Sequence, residues 1–553
     1  MFAPSMKTSP VRLVCRHRFA AGMAAVLLAA AASAAVQTVA VAMRDGVKLA
    51  TDVYLPEGAG PWPVILTRTP YNKALGAGIG AEGMKRGYAI VVQDCRGRFA
   101  SEGENLPFHR DHTDGPDTMK WLLAQSWCNG RIGTWGGSAG AITQLLLMGR
   151  DAPQPACQHL TVGAPDLYAG IYPGGVFKKA MIEDWLRISR FATNALAVWE
   201  AHPGYDAYWR ERDATPRYAQ ADTAAVHLGG WYDIFAQGTI DSFVGYQTRG
   251  AAGARGRQKL VMGPWTHGVL QTKAGELTFP ENARRPPGDV HDSWKWFDFH
   301  LKGEPNGFDR LPPVTYYVMG DVSDPGAPGN VWRTADQWPP VPTRSVNWYF
   351  HADRTLSTAR PAEQAAALSY TYDPSNPAPT VGGLQLTLPA GGMDQRRIES
   401  RPDVLVFTSA PLEAPLEVTG RVRARLWVSS DAPDTDFFAR LCDVYPDGRS
   451  INICEGQLRA RFRDGFDREQ PLRPGAVYAL DLDLWSTSII FNRGHRLRVH
   501  VTSSSSPGYD PNPNTGDAFR ARDYQRAARN VLYLDRRRPS HLVLPVVRSA
   551  ASN

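Results

Sequence analysis

The spacing of apolar residues changes twice along the chain. Up to about residue 320, short continuous apolar runs alternate with helical patterns. Val64-Ile65-Leu66, Ala89-Ile90-Val91-Val92 and Lys259-Leu260-Val261-Met262 are runs of the first kind, the pattern of strands covered on both faces. Val290, Trp294, Phe297 and Leu301 are spaced four, three and four apart, which puts them on one helix face. This alternation predicts an α/β domain over 36–320, a mostly parallel sheet with helices on both sides.

One segment breaks the rhythm. From 168 to 224 the sequence shows helical patterns around Trp185, Trp199 and Trp209 and no good strand. It is predicted to be a helical cap inserted over one end of the sheet, its aromatics serving mainly its own packing. A Pro/Gly-rich stretch, 321–343, then reads as a linker. Beyond it the period becomes two. Val422, Ala424, Leu426 and Val428 alternate with Arg421, Arg423, Arg425 and Trp427; Leu480, Leu482 and Leu484 alternate with Asp481 and Asp483; Leu497, Val499 and Val501 alternate with Arg498 and His500. Such alternation buries one face and wets the other, so 344–549 is predicted to be an antiparallel β-sandwich.

With 553 residues, the chain is long enough for two or three cores. The N-terminus reads as an export signal over 1–34: Lys7, Arg12, Arg16 and Arg18, then an apolar run from Ala20 to Ala32, then Ala32-Ser33-Ala34. Cys15 precedes the apolar run, which is the wrong place for lipid attachment. The run is short for a membrane anchor, and no later stretch is apolar enough to cross a bilayer. The expectation is a periplasmic or secreted protein with no stable membrane insertion after cleavage.

The formal net charge of +7 includes those four leader cations, so the remainder carries about +3. So small a balance gives no support for nucleic-acid binding. Cys95, Cys128, Cys157, Cys442 and Cys454 show no metal-ligand spacing, and no cofactor is implied. Cys442 and Cys454 flank the turn Tyr445-Pro446-Asp447-Gly448-Arg449, as a hairpin disulfide or as two buried free thiols.

Chemistry enters at Gly136-Gly137-Ser138-Ala139-Gly140. The pattern G-x-S-x-G holds a serine on a sharp turn between strand and helix with its hydroxyl exposed. The bare pattern is common in glycine-rich chains; its context raises it, because Ile132 to Trp135 reads as a strand and Ala141 to Gly149 as a helix. A serine hydroxyl needs a base, and the base an orienting acid. In this arrangement the chain order is Ser, acid, His. Asp233 follows the run Ala224 to Gly230, and His267 follows Lys259 to Met262, both at the carboxyl ends of strands where open α/β sheets place their sites. Donors for the oxyanion would be the N–H of Ala139 and a group from the loop Thr67-Arg68-Thr69-Pro70-Tyr71; read from the residues alone, Tyr71 is more often a packing residue.

The blocks TRTPYNK, GYAIVVQDCRGRFASEGE, WLLAQSWCNGRIGTWGGSAG, GGWYD and GPWTH, in this order, resemble the cocaine esterase-like hydrolases, which are grouped with the X-Pro dipeptidyl-peptidases and the α-amino acid ester hydrolases. The β-rich tail, with LCDVYPDGRSINICEGQLRARFR and SSSSPGYDPNPNTGD, resembles their C-terminal jelly roll. The resemblance implies Ser138 as nucleophile, Asp233 as orienting acid, His267 as base, and Tyr71 with Ala139 as the oxyanion hole. It also implies Phe235 as a wall of the acyl pocket, with Trp135, Trp231 and Trp265 nearby. Ala139 stands where many relatives have tyrosine, at little cost because the backbone is the donor. Asp233-Ile234-Phe235-Ala236 lacks the acids with which amino acid ester hydrolases hold a substrate ammonium. The expectation is therefore an esterase for small molecules with uncharged acyl groups. The alternatives are a dipeptidyl-peptidase, an acylase or amino acid ester hydrolase, and a non-catalytic protein that binds a ligand on its sandwich. Nothing in the sequence speaks to oligomeric state.

Overall fold

The computed structural model of the chain describes residues 35–520 and 524–548; the leader reading over 1–34 lies outside them. The first domain is built on a ten-stranded sheet. Its first eight strands are β1 (Ala35–Ala42), β2 (Lys48–Leu55), β3 (Trp62–Thr69), β4 (Ala89–Asp94), β5 (Cys128–Gly137), β6 (Cys157–Thr161), β7 (Ala224–Gly230) and β8 (Gln258–Gly263). They lie in the order β1-β2-β4-β3-β5-β6-β7-β8, followed by Val314–Val318 and Val331–Ala335. The pairings from β4 through Val314–Val318 are parallel, and both edges are antiparallel. Every residue of β4, β7 and β8 is buried, as expected of strands covered by helices on both faces.

Two sequence expectations need adjusting here. The stretch 321–343 is not a free linker. Val331–Ala335 within it pairs antiparallel with Val314–Val318 and closes the sheet, and its Trp332 packs on Trp265. Pro and Gly around a short edge strand look in sequence like a boundary loop. The face expected for Val290, Trp294, Phe297 and Leu301 is also made differently. Ser293–Phe297 is α-helical, and Asp298–Lys302 continues as a π-helical turn, which brings Phe297 and Leu301 into one core with Val290.

Between β6 and β7 the described chain forms helices and turns, with the single antiparallel bridge Asp166–Asp213 and no strand. Leu167–Ile171, Lys179–Ile188, Ala195–Glu200 and Ala207–Arg210 make up the cap. Its core joins Tyr168, Tyr172, Phe177, Trp199 and Trp209 to residues at the rim of the parallel sheet.

From Thr343 onward the chain forms a sandwich of a seven-stranded and a four-stranded antiparallel sheet. In Leu416–Ser430 the arginines at 421, 423 and 425 are exposed and the alternating residues are buried, as the period-two pattern requires. The smaller sheet is wetted less than its sequence predicts. All residues of Asp436–Val444 and Ser450–Arg459 are buried, and so is His500, whose Nε2 meets Glu399 Oε1 at 3.0 Å. Cys442 and Cys454 are buried free thiols. A bulge after Leu441 sets Cys454 opposite Leu441 and Cys442 opposite Asn452, so the two are neighbours on a diagonal and not partners.

Candidate active site

Three strand ends and one early loop converge at the carboxyl edge of the parallel sheet. Ser138 stands between β5 and the helix Ala139–Leu147, with φ 55° and ψ −121°. That backbone is strained for a residue with a side chain, and it is held by the packing around it. A Cβ on Gly136 would lie 2.9 Å from the Gly140 carbonyl carbon and oxygen, so the strand and helix can pass this closely only with glycine at 136. Ser138 N donates to Thr161 O of β6 at 2.9 Å. Ala139 is the first helical residue, and its N–H is among those with no partner inside the helix.

Asp233 and His267 follow β7 and β8. His267 Nε2 lies 2.9 Å from Ser138 Oγ, and His267 Nδ1 lies 2.6 Å from Asp233 Oδ2. Asp233 is fully buried, whereas the imidazole is one-fifth exposed. The other carboxylate oxygen, Oδ1, accepts from Phe235 N at 2.8 Å, so the acid is fixed at both ends.

Tyr71 arrives on the loop after β3. Its N–H donates to Thr69 Oγ1 at 3.0 Å, and its hydroxyl accepts from Trp185 Nε1 of the cap at 2.9 Å. Burial pushes the phenol above its usual range, and the hydrogen bonds to Trp185 and Ser138 pull the other way. The group is a neutral O–H at ordinary pH, able to donate.

A cavity of about 30 Å³ opens beside Ser138. Phe108, Ile142, Met181, Trp185, Trp199, Phe235 and Leu386 are among its walls. Apart from Ser138, every described residue lining it is aliphatic or aromatic. The two cap indoles that line it have their N–H groups already used, Trp185 on Tyr71 Oη at 2.9 Å and Trp199 on Tyr208 Oη at 3.0 Å. Phe235, which the resemblance suggests as a pocket wall, is one of these residues.

The other three aromatics do not line this cavity. Trp135 packs edge-on against Trp294 and Phe297 on the far side of β5. Trp231 donates to Tyr317 O at 2.7 Å and stacks near Trp338. Trp265 is fully buried and donates to Ala283 O at 3.0 Å. Each ring is held by partners of its own away from the cavity, Trp135 by Trp294 and Phe297, Trp231 by Tyr317 and Trp338, and Trp265 by Ala283 and Trp332. What the sequence missed were the walls from the cap and Leu386. The only signal for them was the aromatic density of the cap, and Leu386 carries none.

The region after β7 is tied to all parts of the molecule. Trp231 is bonded to the sheet strand Val314–Val318, Tyr232 Oη donates to Asn452 O of the sandwich at 3.3 Å, and Ile234 O accepts from Lys178 Nζ of the cap at 3.1 Å.

Known proteins resemble the chain over most of its length. Residues 45–197 and 188–269 match the family model for X-Pro dipeptidyl-peptidase (S15 family), and 306–543 match the X-Pro dipeptidyl-peptidase C-terminal non-catalytic domain. The chain is 33% identical to a cocaine esterase of Rhodococcus sp. (strain MB1 Bresler), over 92% of this chain and 98% of that protein. A crystal structure of an aminopeptidase from a marine sediment Thaumarchaeota archaeon superposes with a TM-score of 0.77 at 26% identity, covering 94% of this chain and 97% of the other. An α-amino acid ester hydrolase superposes with a TM-score of 0.77 at 27% identity, covering 96% and 98%.

Proposed function

We propose a mechanism from one premise: the chain belongs to the cocaine esterase-like serine hydrolases of the X-Pro dipeptidyl-peptidase superfamily, and is a serine esterase. Ser138 Oγ attacks the ester carbonyl carbon while His267 Nε2 takes the hydroxyl proton. The carbonyl π electrons move to oxygen, where the Ala139 N–H and the Tyr71 O–H receive the charge. Asp233 holds the Nδ1–H tautomer and steadies the imidazolium. Collapse expels the alkoxide, which takes the proton from His267, and leaves an acyl group on Ser138. Water, deprotonated by the same imidazole, repeats the sequence and releases the acid. The observation that carries this reading is the continuous line from Ser138 Oγ through His267 to Asp233, at 2.9 and 2.6 Å.

The substrate in this reading is an ester of a small, uncharged, apolar acid. An acyl ammonium in the cavity would lose its hydration among aliphatic and aromatic walls, with no carboxylate among the described lining residues, at a cost of roughly several kcal/mol. The N-terminal leader pattern supports export, so the enzyme is proposed to work outside the cytoplasm.

The test is a panel of esters sharing one leaving group, run with the wild type and Ser138→Ala. Acetyl to butyryl esters should give the highest kcat/KM, with α-amino acid esters lower by at least tenfold and Ser138→Ala inactive on all. A preference for amino acid esters would overturn the acyl assignment, and an active Ser138→Ala the mechanism.

A further inference from the structure

We propose that Trp185 is a positioning residue: its indole N–H fixes the direction in which Tyr71 points its hydroxyl hydrogen, so the cap completes the oxyanion hole. This rests on Ser138 being the nucleophile. The argument begins with what an indole can do. Nε1–H donates and cannot accept, so at 2.9 Å the Tyr71 oxygen must be the acceptor. A phenol has one hydrogen. With one lone pair taken on the cap side, that hydrogen leaves on another side, and Trp185 and Ser138 line the same cavity. Without Trp185 the O–H would be free to rotate toward other acceptors, and the donor would have to be re-aimed at each turnover.

The pair is held from both ends. The Trp185 ring lies parallel to Phe108 at 5.8 Å and to Trp199 at 6.1 Å between centroids, with Phe191 at 4.9 Å. A single guanidinium, that of the buried Arg98, spans the two loops. Its Nε donates to Pro70 O, the residue before Tyr71, at 2.9 Å. Its Nη1 donates to Arg190 O at 2.9 Å and its Nη2 to Ser189 O, just beyond the helix that carries Trp185. The Arg98 side chain also stacks over Phe191, 4.2 Å from its centroid. The loop that carries Tyr71 and the end of the helix that carries Trp185 are therefore tied together through Arg98.

The role separates from that of a pocket wall by a double-mutant cycle. Trp185→Phe keeps an aromatic wall and deletes the donor. On a butyryl ester kcat should fall about tenfold with KM within about twofold, and Tyr71→Phe should cost about a hundredfold. The double variant should be no slower than Tyr71→Phe alone, because there is then no hydroxyl to orient. Replacement of Trp185 by benzothienylalanine, which exchanges the N–H for sulfur in the same outline, should repeat the Trp185→Phe result and guards against a packing defect. A loss in kcat from Trp185→Phe that is the same in the wild type and in the Tyr71→Phe variant, or an effect confined to KM, would overturn the inference. Fluorophosphonate labelling of the wild type separates this from the reading it rests on. A labelled Ser138 with additive effects defeats the role of Trp185 alone, whereas an unlabelled Ser138 defeats both.

Discussion

Both oxygens of the Asp233 carboxylate have a task, one on His267 Nδ1 and one on Phe235 N. Asp233→Asn should preserve the second contact and spoil the first, since an amide N–H₂ facing Nδ1 selects the wrong tautomer. A loss in kcat of about 10⁴ is expected, with KM for a butyryl ester little changed; a loss under tenfold in steady-state assays would mean that another group orients the base. Legibility at this scale followed from chain order and strand ends. Ser138, Asp233 and His267 each follow a recognisable strand, so three positions far apart in sequence fall on one rim. Tyr71 could not be told from packing by its residues, because a tyrosine after proline has no pattern of its own; the family resemblance singled it out. Trp135, Trp231 and Trp265 show the opposite case, suggested by the resemblance and held by packing partners away from the cavity.

At the scale of elements, the loop after β7 is where the sheet, cap and sandwich meet, and Lys178 is its charged bolt. Its ammonium is buried against Ile234 O, and the Trp485 ring of the sandwich lies 5.1 Å away. Burial pushes Lys178 down to about 8, with Asp233 and Glu455 pulling the other way. The folded value lies below the ordinary 10.5, so between the two the unfolded chain holds more protons. Stability from this group therefore rises with pH across that window. Urea unfolding of wild type and Lys178→Met should show the wild type gaining on the variant from about pH 8 to about pH 10.5. A difference that is flat with pH, or that falls, would contradict the buried lysine. The helical cap was legible from helical patterns with no strand among them, although its helices are short, and the alternating sandwich strands from their period of two. The closing strand Val331–Ala335 was hidden by the prolines and glycines around it. The smaller sheet hid its second covered face because Asp434, Asp436, Arg459 and Arg461 are polar in sequence yet buried in pairs, with contacts of 2.8 and 2.9 Å.

Across the whole molecule the two domains share one core. Trp231, Tyr232 and Tyr316 pack in the same cluster as Phe437, Leu484 and Val546, and a Cβ on Gly174 of the cap would fall 1.9 Å from Gln457 O of the sandwich. The sandwich is thus part of the frame that fixes the acid loop, although no residue of its two sheets lines the cavity beside Ser138. A boundary placed by composition separates segments that the fold joins, and only the three-dimensional packing reveals this. Such a frame makes Ser138 a nucleophile by position, and one experiment asks for that property directly. The full-length chain is treated with a fluorophosphonate, digested and mapped by mass spectrometry, alongside His267→Ala. A single adduct on Ser138, lost or slowed by at least a thousandfold in His267→Ala, is the expected result; no adduct, or an adduct on another residue with esterase activity abolished, would contradict the account.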